Sequence, residues 1–185
     1  MRFKEHGFLV ESSDPLVALR FLSQGNVEYF SHWFADRFTG NYYESLTEKQ
    51  KERLQETELK SGYHLIAETR GKPFGEVMIR KDAAVRIHDE RYKPPFYLLS
   101  YVRHSHELKE LDTTVIALSI QLVSQIVKSC TLFVMLDTEV MIDSYLENRF
   151  SRISPEMVSS TLDTFLKKRG IENPYKKADI LLRTN

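Results

Sequence analysis

A single cysteine, Cys130, is the only thiol in this sequence, so neither an intramolecular disulfide nor a cysteine-rich zinc site can form. It falls between an apolar helix pattern and an apolar strand pattern, where a buried, inert thiol is expected. Glycine and proline are scarce as well, seven and six in 185 residues, which leaves little material for long flexible linkers. Neither sign of charge is in excess, since Lys+Arg and Asp+Glu both number 26. That balance argues against a general nucleic-acid binder and gives no pull toward a membrane surface. No apolar run approaches the roughly 18 residues of a membrane span. The opening MRFKEHGFLVESSD lacks the apolar stretch of a secretory signal. The expectation is a cytoplasmic protein with no nucleic-acid or membrane partner. Walker loop, Rossmann glycine fingerprint and Gly-x-Ser-x-Gly elbow are also missing, which removes the usual sequence support for nucleotide-dependent, redox and hydrolase chemistry.

What is present suits one globular domain over residues 1–185, with 42% hydrophobic residues to build a core. HGFLVES (His6 to Ser12) reads as a short first strand. The following DPLVALRFLSQGNVEYFSHWFADRF spaces its apolar residues like helices, broken at Gly25-Asn26. A charged helix is expected from an N-cap at Thr47 to a stop at Gly62. HLIAETRGKPFGEVMIR then predicts a hairpin, with strands over His64–Thr69 and Phe74–Arg80 around a Gly-Lys-Pro turn. Gly75 inside the second strand marks a bulge or a close backbone approach. Phe96–Val102 is a third strand, after the turn-rich DERYKPPF. Asp112 to Ser129 has the clearest helical period, apolar on most sides and hence interior. Thr131–Asp137 follows as a buried strand, so strand, helix and strand form a crossover that favours parallel neighbours. SPEMVSSTLDTFLKKRG predicts one helix, opened by Ser154-Pro155 and stopped at Gly170, before a last strand in KKADILLR.

Three stretches, IAETRGKPFGEVMI, LDTEVMIDSYLENRF and YVRHSHELKELDTTVIAL, resemble the Gcn5-related N-acetyltransferase (GNAT) superfamily of acyl-CoA-dependent transferases. IAETRGKPFGEVMI is similar to the family's central hairpin, with Lys72, Pro73 and Gly75 in place and Gly71 at the turn. LDTEVMIDSYLENRF is similar to its Asn, Ala, Tyr, Gly-Phe motif; Tyr145 and Phe150 match, while Thr138 and Arg149 replace the Asn and the Gly. A second frame, in SSTLDTFLKKRGI, keeps Gly170 but has Leu166 for the Tyr; the first frame is preferred because a strand directly precedes it. YVRHSHELKELDTTVIAL stands where the family has its pyrophosphate loop, whose bare amides and helix dipole hold phosphates. Here Glu110 and Asp112 occupy the two glycine positions, so the loop is degenerate. A carboxylate about 4 Å from a like charge costs on the order of 4 kcal/mol at an effective dielectric near 20. Asp112 also reads as an ordinary N-cap. Trp33 and Asp36 resemble the opening helices of the ribosomal-protein and aminoglycoside N-acetyltransferase branch.

The resemblance implies a mixed α/β (α+β) fold, a bent and mostly antiparallel sheet with two splayed parallel central strands and flanking helices. It implies acetyl-CoA or another acyl-CoA as cosubstrate, held by Val102, Arg103, Lys109, Leu111, Thr113 and Thr114. The acceptor would be an amine on a small molecule or protein, and a homodimer is compatible with it. Tyr145 stands where the family has an acid for the leaving thiolate, and Glu76 where some members carry a base. Packing beside the last strands for Tyr145, and solvated strand surface for Glu76 and Glu68, remain open alternatives. The competing reading is a catalytically inactive acetyltransferase-like domain that binds a ligand or protein, with the aromatic stretch from Tyr29 to Tyr43 as surface. His104-x-His106 and His88-Asp89-Glu90 lack enough further ligands for a metal site. The cations of FLKKRG suit a helix end.

Overall fold

A computed structural model describes residues 8–13, 16–21, 47–50, 53, 62–104, 106–136, 141–168, 170 and 179–184. Its centre is an eight-stranded sheet in the order β1-β2-β3-β4-β6-β7-β10-β8. The strands are β1 (Phe8–Ser13), β2 (Leu16–Phe21), β3 (Tyr63–Thr69), β4 (Lys72–Lys81), β6 (Phe96–Arg103), β7 (Thr131–Leu136), β8 (Ser151–Ile153) and β10 (Asp179–Thr184). β5 (Val85–Ile87) and β9 (Val158–Ser160) form a separate two-stranded ribbon. The helices are α1 (Asp112–Ile126), α2 (Ile142–Glu147) and α3 (Asp163–Lys168). All pairings in the large sheet are antiparallel except β6 with β7.

The strands read as continuous apolar runs because both faces of the sheet are covered. Val77, Ile79, Leu99, Tyr101 and Leu181 pack with Val115, Ile116 and Leu122 of α1 in one core cluster. Their neighbours in sequence, Met78, Leu98 and Leu182, join Phe133, Val85 and Val158 in a second. This is the period-two alternation of strands, with each parity buried against a different layer. Cys130 is buried at the foot of β7.

The hairpin turn is Arg70-Gly71, at φ 51° and 73°. Two successive left-handed residues are what a tight hairpin with right-handed strand twist requires, and glycine takes the second at little cost. Both readings of Gly75 apply. The register slips between Ala67 and Glu68, leaving Phe74 as the extra residue of a bulge. A Cβ on Gly75 would also lie 2.8 Å from Tyr101 Cε2 and 2.9 Å from the Val102 carbonyl oxygen.

Two expected helices need correction. Leu16–Phe21 is a strand, paired on both sides by β1 and β3. Val17, Ala18 and Leu19 are all buried there, which erases the alternation that would have marked it. The segment opened by Ser154-Pro155 is a single 3-10 turn, Pro155–Met157, followed by β9 and then the short α3. Pairing of Val158–Ser160 with β5 overrides the helical pattern. The N-cap at Thr47 is in place: its N–H donates to Gln50 Oε1 at 2.9 Å, half of a capping box. Residues 51–52 and 54–61 of that expected helix, Gly25-Asn26, Trp33, Asp36 and Tyr29 to Tyr43 lie outside the described residues.

Candidate functional site

The site begins where two strands part. β6 and β7 pair in parallel only over Phe96↔Thr131, Tyr97↔Leu132 and Leu98↔Phe133. Beyond Leu98, β6 continues to Arg103 with no β7 partner among the described residues. The bond pattern shows which backbone groups this leaves open. Asp82 N–H donates to the Phe96 carbonyl at 2.9 Å, and His104 N–H to the Phe74 carbonyl at 2.8 Å. Even-numbered residues of β6 therefore exchange bonds with β4, and the Leu98↔Phe133 pairing takes the Leu99 N–H, so that the Leu99 carbonyl and the amides and carbonyls of Tyr101 and Arg103 face the opening. Val102 by the same parity turns its backbone to β4, and 41% of the residue is exposed.

A 3-10 stretch, His106–Leu111, carries the chain from β6 to α1. Leu111 is the N-cap residue of α1 and makes no side-chain capping bond. Asp112 is thus the first helical residue, and the N-cap reading is corrected. Its carboxylate turns inward: Tyr101 Oη donates to Oδ1 at 2.9 Å, and the Arg103 guanidinium donates to Oδ2. Side chains of Arg103 and Asp112 are only 5% and 3% exposed, so this is a buried ion pair. Burial pushes the Asp112 carboxyl up, against the opposing pull of the Tyr101 hydroxyl and the Arg103 charge. Asp112 therefore occupies no space outside the helix, and it neutralises the one arginine of the loop. Glu110 and Lys109 are exposed, Leu111 is buried, and Thr113 and Thr114 are half-buried. Thr113 Oγ1 donates to Glu147 Oε2 at 2.8 Å, tying α1 to α2.

Tyr145 sits on α2 and is fully buried in the same core as Tyr101. Its Oη has no hydrogen-bond partner among the described residues. Burial first, and the Asp112 charge second, push its hydroxyl well above the usual tyrosine range. The helix ends in a Schellman cap: Arg149 N–H donates to the Leu146 carbonyl and Phe150 N–H to the Tyr145 carbonyl. The Tyr145 and Phe150 rings meet edge to face, with centroids 5.3 Å apart. Arg149 takes φ +63°, the left-handed cap conformation in which glycine is free of strain. The preferred frame therefore has the backbone of a glycine cap with an arginine in it. Of the alternative frame's Leu166, the side chain lies outside the described residues.

Glu76 pairs with Val102 across β4 and β6, on the sheet face opposite Tyr101. Its Oε1 lies 3.2 Å from His104 Nε2. Glu68 lies 2.7 Å from Arg20. His88 Nε2 is 2.7 Å from Ser159 Oγ, and Asp89 holds Arg91. The structure thus buries Tyr145 in the core on the side of the sheet that carries Tyr101 and the Arg103–Asp112 pair, and puts Glu76 on the opposite face. Sequence reasoning missed Tyr101 and the inward turn of Asp112. The period-two spacing of Tyr101 and Arg103 was the available signal.

Neither a family model nor a curated protein matches the sequence. Solved structures do. Similar to this chain is aminoglycoside acetyltransferase AAC(6')-Ib in complex with ribostamycin and coenzyme A, with 13% identity over 91% of this chain and 93% of that one and a TM-score of 0.59. The GNAT domain of an S. lividans protein, PAT, has 11% identity over 97% and 96%, with a TM-score of 0.54. A GNAT-family acetyltransferase from Streptococcus pneumoniae has 15% identity over 91% and 98%, with a TM-score of 0.51. Identities this low carry the architecture alone, and that architecture is clear: the chain has the fold of the GNAT acetyltransferases.

Proposed function

We propose that this protein is an acyl-CoA-dependent N-acyltransferase, with acetyl-CoA the first candidate donor, in which residues 1–185 act as one domain. The observation that carries the reading is the unpaired edge of β6, where Leu99, Tyr101 and Arg103 offer backbone groups beside the parted strands. An extended amide-containing chain can add to such an edge as a strand would. Arg103, Lys109, Leu111, Thr113 and Thr114 are the remaining residues near the start of α1, and Val102 contributes side chain rather than backbone.

The chemistry asked of the protein is modest. An open N–H on β6 would polarise a thioester carbonyl while an amine attacks it. Tyr145 is the candidate for giving a proton to the departing thiolate, a role that needs the thiolate to reach its buried hydroxyl. Glu76, beside His104, is suited to take the proton that the amine loses. The two lie on opposite faces of the sheet, so a reacting centre could reach both only through the opening. A small-molecule or protein amine is the acceptor class. No helix among the described residues is long and apolar enough to cross a membrane, and the proposed setting is the cytoplasm.

Calorimetry with acetyl-CoA tests this directly. Micromolar binding is expected, with Tyr145→Phe retaining affinity and losing turnover on an amine acceptor. Absence of heat at millimolar acetyl-CoA refutes it. One observation favours a second reading, a non-catalytic module that binds another ligand or a protein: Asp112 already satisfies Arg103. A folded protein that ignores acetyl-CoA while retaining a partner on this face would establish that alternative.

A further inference from the structure

A second site lies at the other end of the sheet, where β6 and β7 begin. A surface pocket of about 320 Å³ is lined by Arg91, Tyr92, Arg149, Ser151, Arg183 and Thr184, and no acidic residue lines it among the described residues. Asp89 accepts from Nε, Nη2 and the backbone N–H of Arg91 and compensates its charge. The other two cations have no such partner. Arg183 gives one bond to the Asn148 carbonyl, and its Nε is buried with no hydrogen-bond partner among the described residues. Arg149 makes no side-chain hydrogen bond or ion pair among those residues, and it shares the pocket with Arg183. Burial and the like charge of Arg149 press Arg183 below the usual guanidinium range.

Two uncompensated guanidinium groups facing one cavity repel each other, and a donor left unbonded in a buried place costs stability. Arg149 adds a third cost, because its left-handed backbone strains any side chain that glycine would avoid. The missing component is an acceptor of two charges. We propose that this pocket binds a phosphate dianion, free or as the monoester of a small molecule, with Arg149 and Arg183 as charge partners and Ser151 and Thr184 as hydroxyl donors. Planar guanidinium groups match the oxygen spacing of phosphate, and the charges balance at two against about two. The inference is independent of the acyltransferase reading, since it uses no residue of that site.

The test is titration of inorganic phosphate, and in parallel glycerol 3-phosphate, into the full chain at constant ionic strength. Calorimetry and thermal melting provide the readouts. Saturable binding at or below about 10 mM is expected, with a rise in Tm. Tighter binding of glycerol 3-phosphate assigns the monoester, and tighter binding of inorganic phosphate assigns the free ion. Arg149→Gly is expected to melt higher than wild type without phosphate and to bind phosphate at least about tenfold more weakly, the loss of one charge-assisted bond. Arg183→Gln is expected to weaken binding by a similar factor. Lys109→Ala, at the start of α1, is expected to leave it unchanged. No saturable binding by wild type overturns the proposal. So does a folded Arg149→Gly that binds as wild type does, or a loss of binding in Lys109→Ala alone.

Discussion

A side chain at Gly75 would run into the Tyr101 ring across β4 and β6, and the hydroxyl of that same ring donates to Asp112 at the start of α1. A glycine in one strand thereby sets the position of a helix that begins eleven residues after Tyr101. An added methyl at Gly75 has nowhere to go, because it would meet the Val102 carbonyl as well as the ring. Gly75→Ala is expected to destabilise the fold by about 1–3 kcal/mol, the usual cost of overpacking. Denaturant melts with an unchanged m-value would check it, and a variant as stable as wild type would show the ring free to move.

The Arg103–Asp112 pair gives a second expectation. Removing one member leaves the other charged, buried and alone. Asp112→Ala is therefore expected to cost about 3–5 kcal/mol. The double variant Arg103→Met/Asp112→Leu replaces both charges with apolar volume and should recover most of that loss. Urea melts of the single and double variants decide the matter. Equal instability of both would mean that the pair contributes through a shape the apolar residues cannot copy.

Tyr145 gives a prediction in pH. Its hydroxyl is raised in the folded state, by burial first, while the unfolded chain ionises near the ordinary tyrosine value of about 10. A group raised on folding contributes stability that is complete below its unfolded pKa and is lost as pH climbs toward the folded value. Wild-type stability should consequently fall above about pH 10. Tyr145→Phe removes one such term and also an unsatisfied buried hydroxyl, so it should match or exceed wild type at neutral pH and lose stability less steeply in alkali. Melts between pH 8 and 11 are the measurement. A variant less stable at pH 7 by more than about 1 kcal/mol would place a hidden partner on Oη.

The capping arginine can be weighed apart from any ligand. Arg149→Gly relieves a left-handed residue and is expected to gain roughly 1 kcal/mol in thermal melts without phosphate. No gain would mean that the side chain itself holds the end of α2.

How far the sequence carried depends on where each signal was generated. The central hairpin and the β6-α1-β7 crossover were legible, because their apolar runs are long and their turn residues are local causes. β2 was not legible. Three consecutive buried residues, Val17, Ala18 and Leu19, hide a strand whose identity comes from its neighbours on both sides. β9 was hidden for a similar reason, since three residues become a strand only by meeting β5. Around the candidate site, the short helix that carries Tyr145 follows β7 as the sequence order suggested, and its end at Phe150 has a local cause in the cap. The direction of Asp112 could not, because it depends on how the 3-10 stretch His106–Leu111 rotates the entry into α1. Residue type gave the carboxylate; three-dimensional packing chose its partners.

The buried pair at the head of α1 also has a kinetic consequence. A cation whose counter-ion is already in contact presents a dipole rather than a net charge, and its field dies within a few ångströms. An anionic ligand approaching that end of the sheet gains little steering from Arg103, so its association rate should barely respond to ionic strength. The pocket holding Arg149 and Arg183 is the opposite case, with like charges and no neutralising neighbour on its walls among the described residues. Its field reaches across a Debye length, about 10 Å at 0.1 M salt. Encounter there should slow steeply as salt is added. The two ends of one sheet are thus separable by salt alone, one recognising by contact and the other by attraction at a distance.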